Sequence, residues 1–355
     1  MKKIFILLFY LSFSGIINAQ HYSIFGITSN GGINNDGAIY KYDPVTKVEA
    51  KVFDFNVSNG LEPDNSMLWS NGMLYGGANY GGAKDLGVLF QYNYYTNTYT
   101  VLVNSDSAIG AVPGGDLIQT SSNLFYGMTS VGGTKKNGTI FCYNILKPGT
   151  DSVVFSFDTI YGYRPDGNLI FNDTLNLLYG LTDFGGLYGN GTLFSFNVKT
   201  GQYSVLINFD SANGLKPVGS YLVQASNGMI YGMTSAGGHF NDGVLFRYNP
   251  KTTQDSVVIN FNDTIGKTPW CNGLIQANNG LLYGMTAWGG TPGDGVLFSL
   301  DPLTNTYSVL VNFNNANGGN FAYGTLVQDP DDSLIYGTTL GGGGSITKEH
   351  YSATI

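Results

Sequence analysis

The chain has 355 residues, among them 51 Gly, 25 Tyr and 22 Phe, with only 11% charged residues and a formal net charge of −8. Such acidity makes a nucleic-acid backbone or an anionic membrane surface a poor partner. Glycine suits turns, aromatic residues suit strands, and no stretch sustains a helical period, so the composition points to an all-β chain.

The first 19 residues stand apart from the rest. Lys2 and Lys3 precede an apolar run from Ile4 to Ile17, and the segment ends Ile17-Asn18-Ala19. This reads as a signal peptide over residues 1–19, cleaved near Ala19, which places the mature chain in the extracellular space or on the outer cell surface. A membrane anchor is the alternative, but the run is short for a span and contains Ser12, Ser14 and Gly15. The mature chain is therefore expected to have no membrane span, and its charge becomes −10 once Lys2 and Lys3 leave.

From residue 20 to residue 344 one unit recurs seven times. Its Tyr-Gly pair stands at Tyr75, Tyr126, Tyr179, Tyr231, Tyr283 and Tyr336, with Phe25-Gly26 as the first copy, at steps of 50 to 53 residues. That period marks an array or a propeller. Each unit has four short apolar runs, the number of strands in one propeller blade. In the sixth unit they are Leu274 to Gln276, Leu281 to Thr286, Val296 to Leu300 and Tyr307 to Phe313, here strands a, b, c and d. Asn71-Gly72, Asn227-Gly228 and Asn279-Gly280 join a to b, as two-residue hairpin turns with positive φ require. Gly-Gly and a short polar loop ending in Gly join b to c. The c-to-d turn carries Asp or Asn, often Pro, then Thr, as in Asp301-Pro302-Leu303-Thr304.

The pattern Tyr-Gly-x-Thr-x-x-Gly-Gly, followed by Gly-[Val/Thr]-[Leu/Ile]-Phe, resembles the GloVer tandem repeat. That repeat is found in exported bacterial proteins of the choice-of-anchor kind, and the resemblance covers residues 22 to about 344. It implies a secreted or surface-displayed repeat domain and supplies no catalytic residue. Gly-Gly after the second strand also gives a distant outline similarity to kelch propellers, whose paired downstream aromatic signature is missing here.

The copies at the two ends are incomplete. The mature N-terminus would begin with a b strand, Tyr22 to Thr28, leaving the first blade without its a strand. The seventh unit has a and b runs and then Gly341 to Gly344, after which residues 345–355 abandon the pattern as an irregular tail, read as a truncation. The expectation is a β-propeller of four-stranded antiparallel blades with seven positions and incomplete closure, whose unpaired seam strands invite self-association. The alternative is a six-bladed ring with extra C-terminal strands.

Little in the sequence points to chemistry. Cys142 and Cys271 lie three repeats apart and are expected as free, partly buried thiols. His21, His239 and His350 form no metal-binding pair, Asp329 to Asp332 lack the spacing of a calcium loop, and no nucleophile elbow occurs, so neither a metal nor another cofactor is implied. Asp43, Asp242, Asp294 and Asp301 sit where turns need them.

A site on a pseudo-symmetric ring is sought where the copies differ. The residue before Gly-Gly is Asn30, Tyr80, Val131, Phe184, Ala236, Trp288 and Leu340, so aromatic rings occupy every second unit. The b–c and d–a loops are expected to share one face, and the d–a loops add Tyr163, Arg164 and Trp270. Flat apolar rings among polar groups suit a glycan or an extended peptide. Tyr80, Phe184 and Trp288 are thus the candidate contacts, with Tyr163, Arg164 and Trp270 around them, in a non-enzymatic binding or adhesion protein. The other reading is a carbohydrate-active enzyme whose carboxylates come from different blades and gather at the central channel with raised pKa values.

Overall fold

The computed structural model describes residues 23–314 apart from 44–45, 64, 122, 150 and 271–272, and beyond these the residues 2–7, 320–322, 326–328, 333–337, 339–341 and 352–353. All regular elements among them are strands. They build six antiparallel blades in sequence order around a ring. Blade 1 has Lys2–Leu7, Ser23–Thr28, Ala38–Asp43 and Val48–Asp54, and blade 2 has Leu68–Ser70, Met73–Ala78, Val88–Asn93 and Thr98–Asn104. Blade 3 runs from Ile118–Ser121 to Ser152–Ser156, blade 5 from Val223–Gln224 to Gln254–Asn260 and blade 6 from Ile275–Gln276 to Tyr307–Asn312. Blade 4 has five strands, because Tyr163–Pro165 and Ile170–Asn172 both pair with Leu177–Phe184.

The repeat motif has a packing reason. In every blade from 2 to 6 the glycine of Tyr-Gly pairs across the sheet with the phenylalanine of strand c, as Gly180 does with Phe194 and Gly232 with Phe246. A Cβ on Gly180 would stand 2.5 Å from Phe194 Cζ, and one on Gly232 would stand 2.6 Å from Phe246 Cζ. The ring of strand c therefore lies flat over a bare backbone, and both phenylalanines are buried. Aromatic contacts then tie each blade to the next. Phe53 of blade 1 stacks on Tyr99 of blade 2 at 4.1 Å, and Phe155 of blade 3 on Tyr203 of blade 4 at 4.0 Å.

A second joint runs between blades at the entry to strand a. There a proline follows a residue with positive φ: Glu62 (50°), Val112 (56°), Arg164 (53°), Lys216 (54°) and Thr268 (48°). The left-handed region is costly for such residues, and more so for the β-branched Val112 and Thr268. Each is held there by its own N–H, which donates to a carbonyl in the b–c loop of the preceding blade. The acceptors are Asp36, Leu86, Asn137, Asn190 and Asp242, at 2.8 to 3.2 Å. The following proline packs over the glycine that closes that loop, as Pro217 does over Gly191.

Several expectations are corrected. The ring has six blades, not seven, five of four strands and one of five, and takes the alternative form with extra C-terminal strands. The seventh unit supplies a and b runs, Val327–Gln328 and Ile335–Tyr336, but its described residues contain no c–d pair to complete a blade. Leu326 and Ile335 instead pack with Tyr283, Met285 and Phe313 of blade 6, and Val327–Gln328 lies beside Lys2–Leu7. In the uncleaved chain Lys2–Leu7 pairs with Ser23–Thr28 at the a position of blade 1. The a–b hairpins also differ from expectation. Asn71 and Gly72 both have positive φ, but in blades 5 and 6 only Gly228 and Gly280 do, since Gly228 N–H closes a turn onto Ala225 O and Asn227 instead accepts from the Met229 N–H.

Candidate functional site

The b–c and d–a loops do share a face. The residue before Gly-Gly pairs through its backbone with a residue of the d–a loop entering the same blade: Leu61 with Tyr80, Ala111 with Val131, Tyr163 with Phe184, Leu215 with Ala236 and Lys267 with Trp288. Parallel bridges between the a-strand entries, Gly115 to Gly167 and Tyr221 to Gly273, set those entries around the axis of the ring. Strand a is therefore innermost.

On that face Tyr80 is 43% exposed, Trp288 39% and Trp270 50%, so much of each ring meets solvent. Phe184 is half-buried against Tyr163, their rings stacked at 5.5 Å and 26°. The Arg164 guanidinium lies 6.0 Å from the centre of the Phe184 ring, at the outer limit of a cation–π contact. The structure thus brings together Tyr163, Arg164 and Phe184 on blade 4. Trp270 and Trp288 belong to blade 6 and Tyr80 to blade 2, so the aromatic residues stand on alternate blades around the mouth.

Beneath the blade 4 stack is a group that the sequence reading missed. Asp183 has no solvent exposure, and neither of its carboxylate oxygens has a hydrogen bond of good geometry. Arg164 Nε approaches Oδ2 only to 3.6 Å, and the Gly219 N–H gives partial relief. Burial first, and the nearby Asp166 second, push the Asp183 carboxyl up to about 8, against the pull of Arg164. Burial therefore favours the protonated form of Asp183. Asp166 also faces Tyr221, whose phenol donates to Asp116 at 3.2 Å and is pushed well up by burial. The Ser66 N–H donates to the same Asp116 oxygen. Carboxylates from blades 3 and 4 thus meet around a tyrosine from blade 5.

A signal for Asp183 is present in the sequence. Two residues before Gly-Gly the copies read Ser29, Asn79, Ser130, Asp183, Ser235 and Ala287, a column of small side chains broken by one acid. Serines of that column find backbone partners: Ser235 Oγ donates to Lys216 O at 2.7 Å and Ser130 Oγ to Pro165 O at 3.3 Å. Other acids keep the turn roles expected of them: Asp43 accepts from the Thr46 N–H and Asp301 from the Leu303 N–H. Cys142 is a half-buried free thiol raised by burial, and Cys271 lies outside the described residues, as does Asp329 to Asp332. Among the described residues no cluster of His, Cys, Asp and Glu is placed to hold a metal ion, and no helix is long and apolar enough to cross a membrane.

Solved structures with this fold include enzymes and an extracellular domain. The GH74 enzyme of Niastella koreensis is 14% identical with a TM-score of 0.62, covering 88% of this chain and 49% of its own. The GH74 xyloglucanase of Xanthomonas campestris is 12% identical with a TM-score of 0.61, covering 90% and 49%. The extracellular domain of a hybrid two-component system from B. thetaiotaomicron is 14% identical with a TM-score of 0.56, covering 89% and 37%. This chain thus spans half or less of the length of these proteins, and the likeness is one of fold. No curated protein matches the chain. The sequence profile of the Gloeobacter/Verrucomicrobia repeat matches residues 12–186 and 171–349. The chain belongs to that repeat family.

Proposed function

We propose that the protein is a non-enzymatic binding or adhesion propeller, secreted or displayed on the cell surface, whose b–c and d–a loop face holds a glycan. The observation that carries this reading is the Tyr163–Phe184 stack beside Arg164, flanked around the mouth by the exposed rings of Tyr80, Trp270 and Trp288. Sugar rings present apolar faces with polar rims, and exposed aromatic rings beside hydrogen-bonding groups match both. An extended peptide is the competing ligand. A glycan and peptide array probed with the protein separates the two. Trp288→Ala should then weaken capture by about 2 kcal/mol while leaving the melting temperature within a few degrees of the parent, since the ring is well exposed. A large loss of stability with unchanged capture would show that Trp288 serves packing alone.

A second reading, a carbohydrate-active enzyme, is favoured by one observation: Asp183 beside Asp166 has the raised pKa that a general acid needs. Against it, Asp183 is sealed from solvent and cannot touch a substrate in this arrangement. Release of new reducing ends from polysaccharides, abolished in Asp166→Asn, would establish the enzyme and displace the binding reading.

A further inference from the structure

We infer that this face selects glycans that carry carboxylates, that is, uronate-containing chains, and that Arg164 and Lys216 make the selection. The inference deepens the glycan reading and rests on it. The chain is acidic, with 16 Lys and Arg against 24 Asp and Glu. Yet the residue before the docking proline, which reads Glu62, Val112, Arg164, Lys216 and Thr268, is a cation on the two neighbouring blades 4 and 5.

Both cations are exposed, and both rest on a fixed backbone. The Arg164 N–H donates to Asn137 O and the Lys216 N–H to Asn190 O, each at 3.0 Å, with φ at 53° and 54°. They also flank one seam. Arg164 approaches Asp183 from blade 4, while Gly219, three residues beyond Lys216, faces the same carboxyl from blade 5. Neither charge is held in a close ion pair. Among the described residues Lys216 has no ion partner, and the one ion contact of Arg164, to Asp183, is long at 3.6 Å and meets a carboxyl whose neutral form burial favours. Lys267 on blade 6 differs, because it pairs with Asp263.

A sugar ring laid along the Tyr163–Phe184 stack would bring a ring substituent within reach of the guanidinium. Guanidinium and carboxylate match as a two-point pair, and a neutral hydroxymethyl group offers no such match. Asp116 and Asp166 lie at the a-strand entries, with Asp116 already engaged by Tyr221 and Ser66, and they repel an anion from passing inward. The anion is thereby kept at the mouth, where the cations are.

The test titrates oligosaccharides of galacturonate, glucuronate and mannuronate, each beside its carboxyl-reduced counterpart, onto the whole protein by calorimetry. At least one uronate should bind about tenfold or more tighter than its reduced form. Arg164→Gln and Lys216→Gln should each shrink that preference several-fold, with melting temperature unchanged. Equal affinity for the acidic and reduced forms overturns the inference and leaves the glycan reading standing. No binding to any of them overturns both. A sulfated dextran that competes as well as the best uronate also overturns it, by showing a patch that accepts any anion.

Discussion

Asp183→Asn should leave stability almost unchanged at pH 4 and raise it by about 2–4 kcal/mol at pH 8, read from urea unfolding at each pH. The native carboxyl titrates at about 8, against an ordinary value of 3.8. Between those values the native state keeps a proton that the unfolded chain releases. Stability therefore falls as pH rises through this window, at up to about 1.4 kcal/mol per pH unit, and levels off above it. The ceiling over the whole window is about 6 kcal/mol, and relaxation around the carboxylate lowers it. Asparagine has nearly the same shape and no charge to bury, so it removes the slope. A variant with the same pH dependence as the parent would show that another group sets it.

Phe194→Ala should cost about 4 kcal/mol, because the ring is fully buried, meets Phe157 edge-on at 5.3 Å and stacks on Tyr203 at 5.2 Å. Gly180→Ala should cost about 2 kcal/mol for the opposite reason, since the added methyl runs into that same ring. The two changes share one volume, so the double variant should be less destabilised than the sum of the singles by about 1 kcal/mol or more. Denaturation midpoints of the four proteins decide the matter. Strict additivity would mean that the added methyl is felt through Leu169, whose Cδ2 it would meet at 2.9 Å, and not through the ring.

Much of this arrangement is legible in the sequence, because identical units leave their packing rules in register. Tyr-Gly and the downstream Phe are two halves of one contact, and their fixed spacing announces the blade. The shared face of the b–c and d–a loops also follows from the strand order alone. Closure was harder to read. Whether the seventh unit completes a blade depends on strands that the repeat spacing calls for and the chain does not repeat, and sequence periodicity counts units rather than blades. The left-handed residues before proline were illegible for a physical reason. Proline biases its predecessor toward extended backbone, and only a carbonyl supplied by the neighbouring blade makes the other conformation acceptable. Asp183 is hard to read in the sequence because the adjacent column varies far more in side-chain size. Its significance lies in contrast with Ser130 and Ser235, whose hydroxyls donate to the Pro165 and Lys216 carbonyls where a buried carboxyl lacks good partners.

The proline joint has a consequence for how such a protein changes over generations. Units 2 to 5 each encode a donor and a proline at their start and the matching carbonyl and glycine in their own b–c loop, so each of these copies brings one half of the joint on each side. Recombination between copies that adds or removes one whole unit, at whatever phase the crossover falls, leaves each remaining joint with both halves. The number of blades can thus drift by gene-level slippage without any contact having to be reinvented, while the loop residues that distinguish one blade from another travel with their unit and reshuffle the order of groups around the mouth.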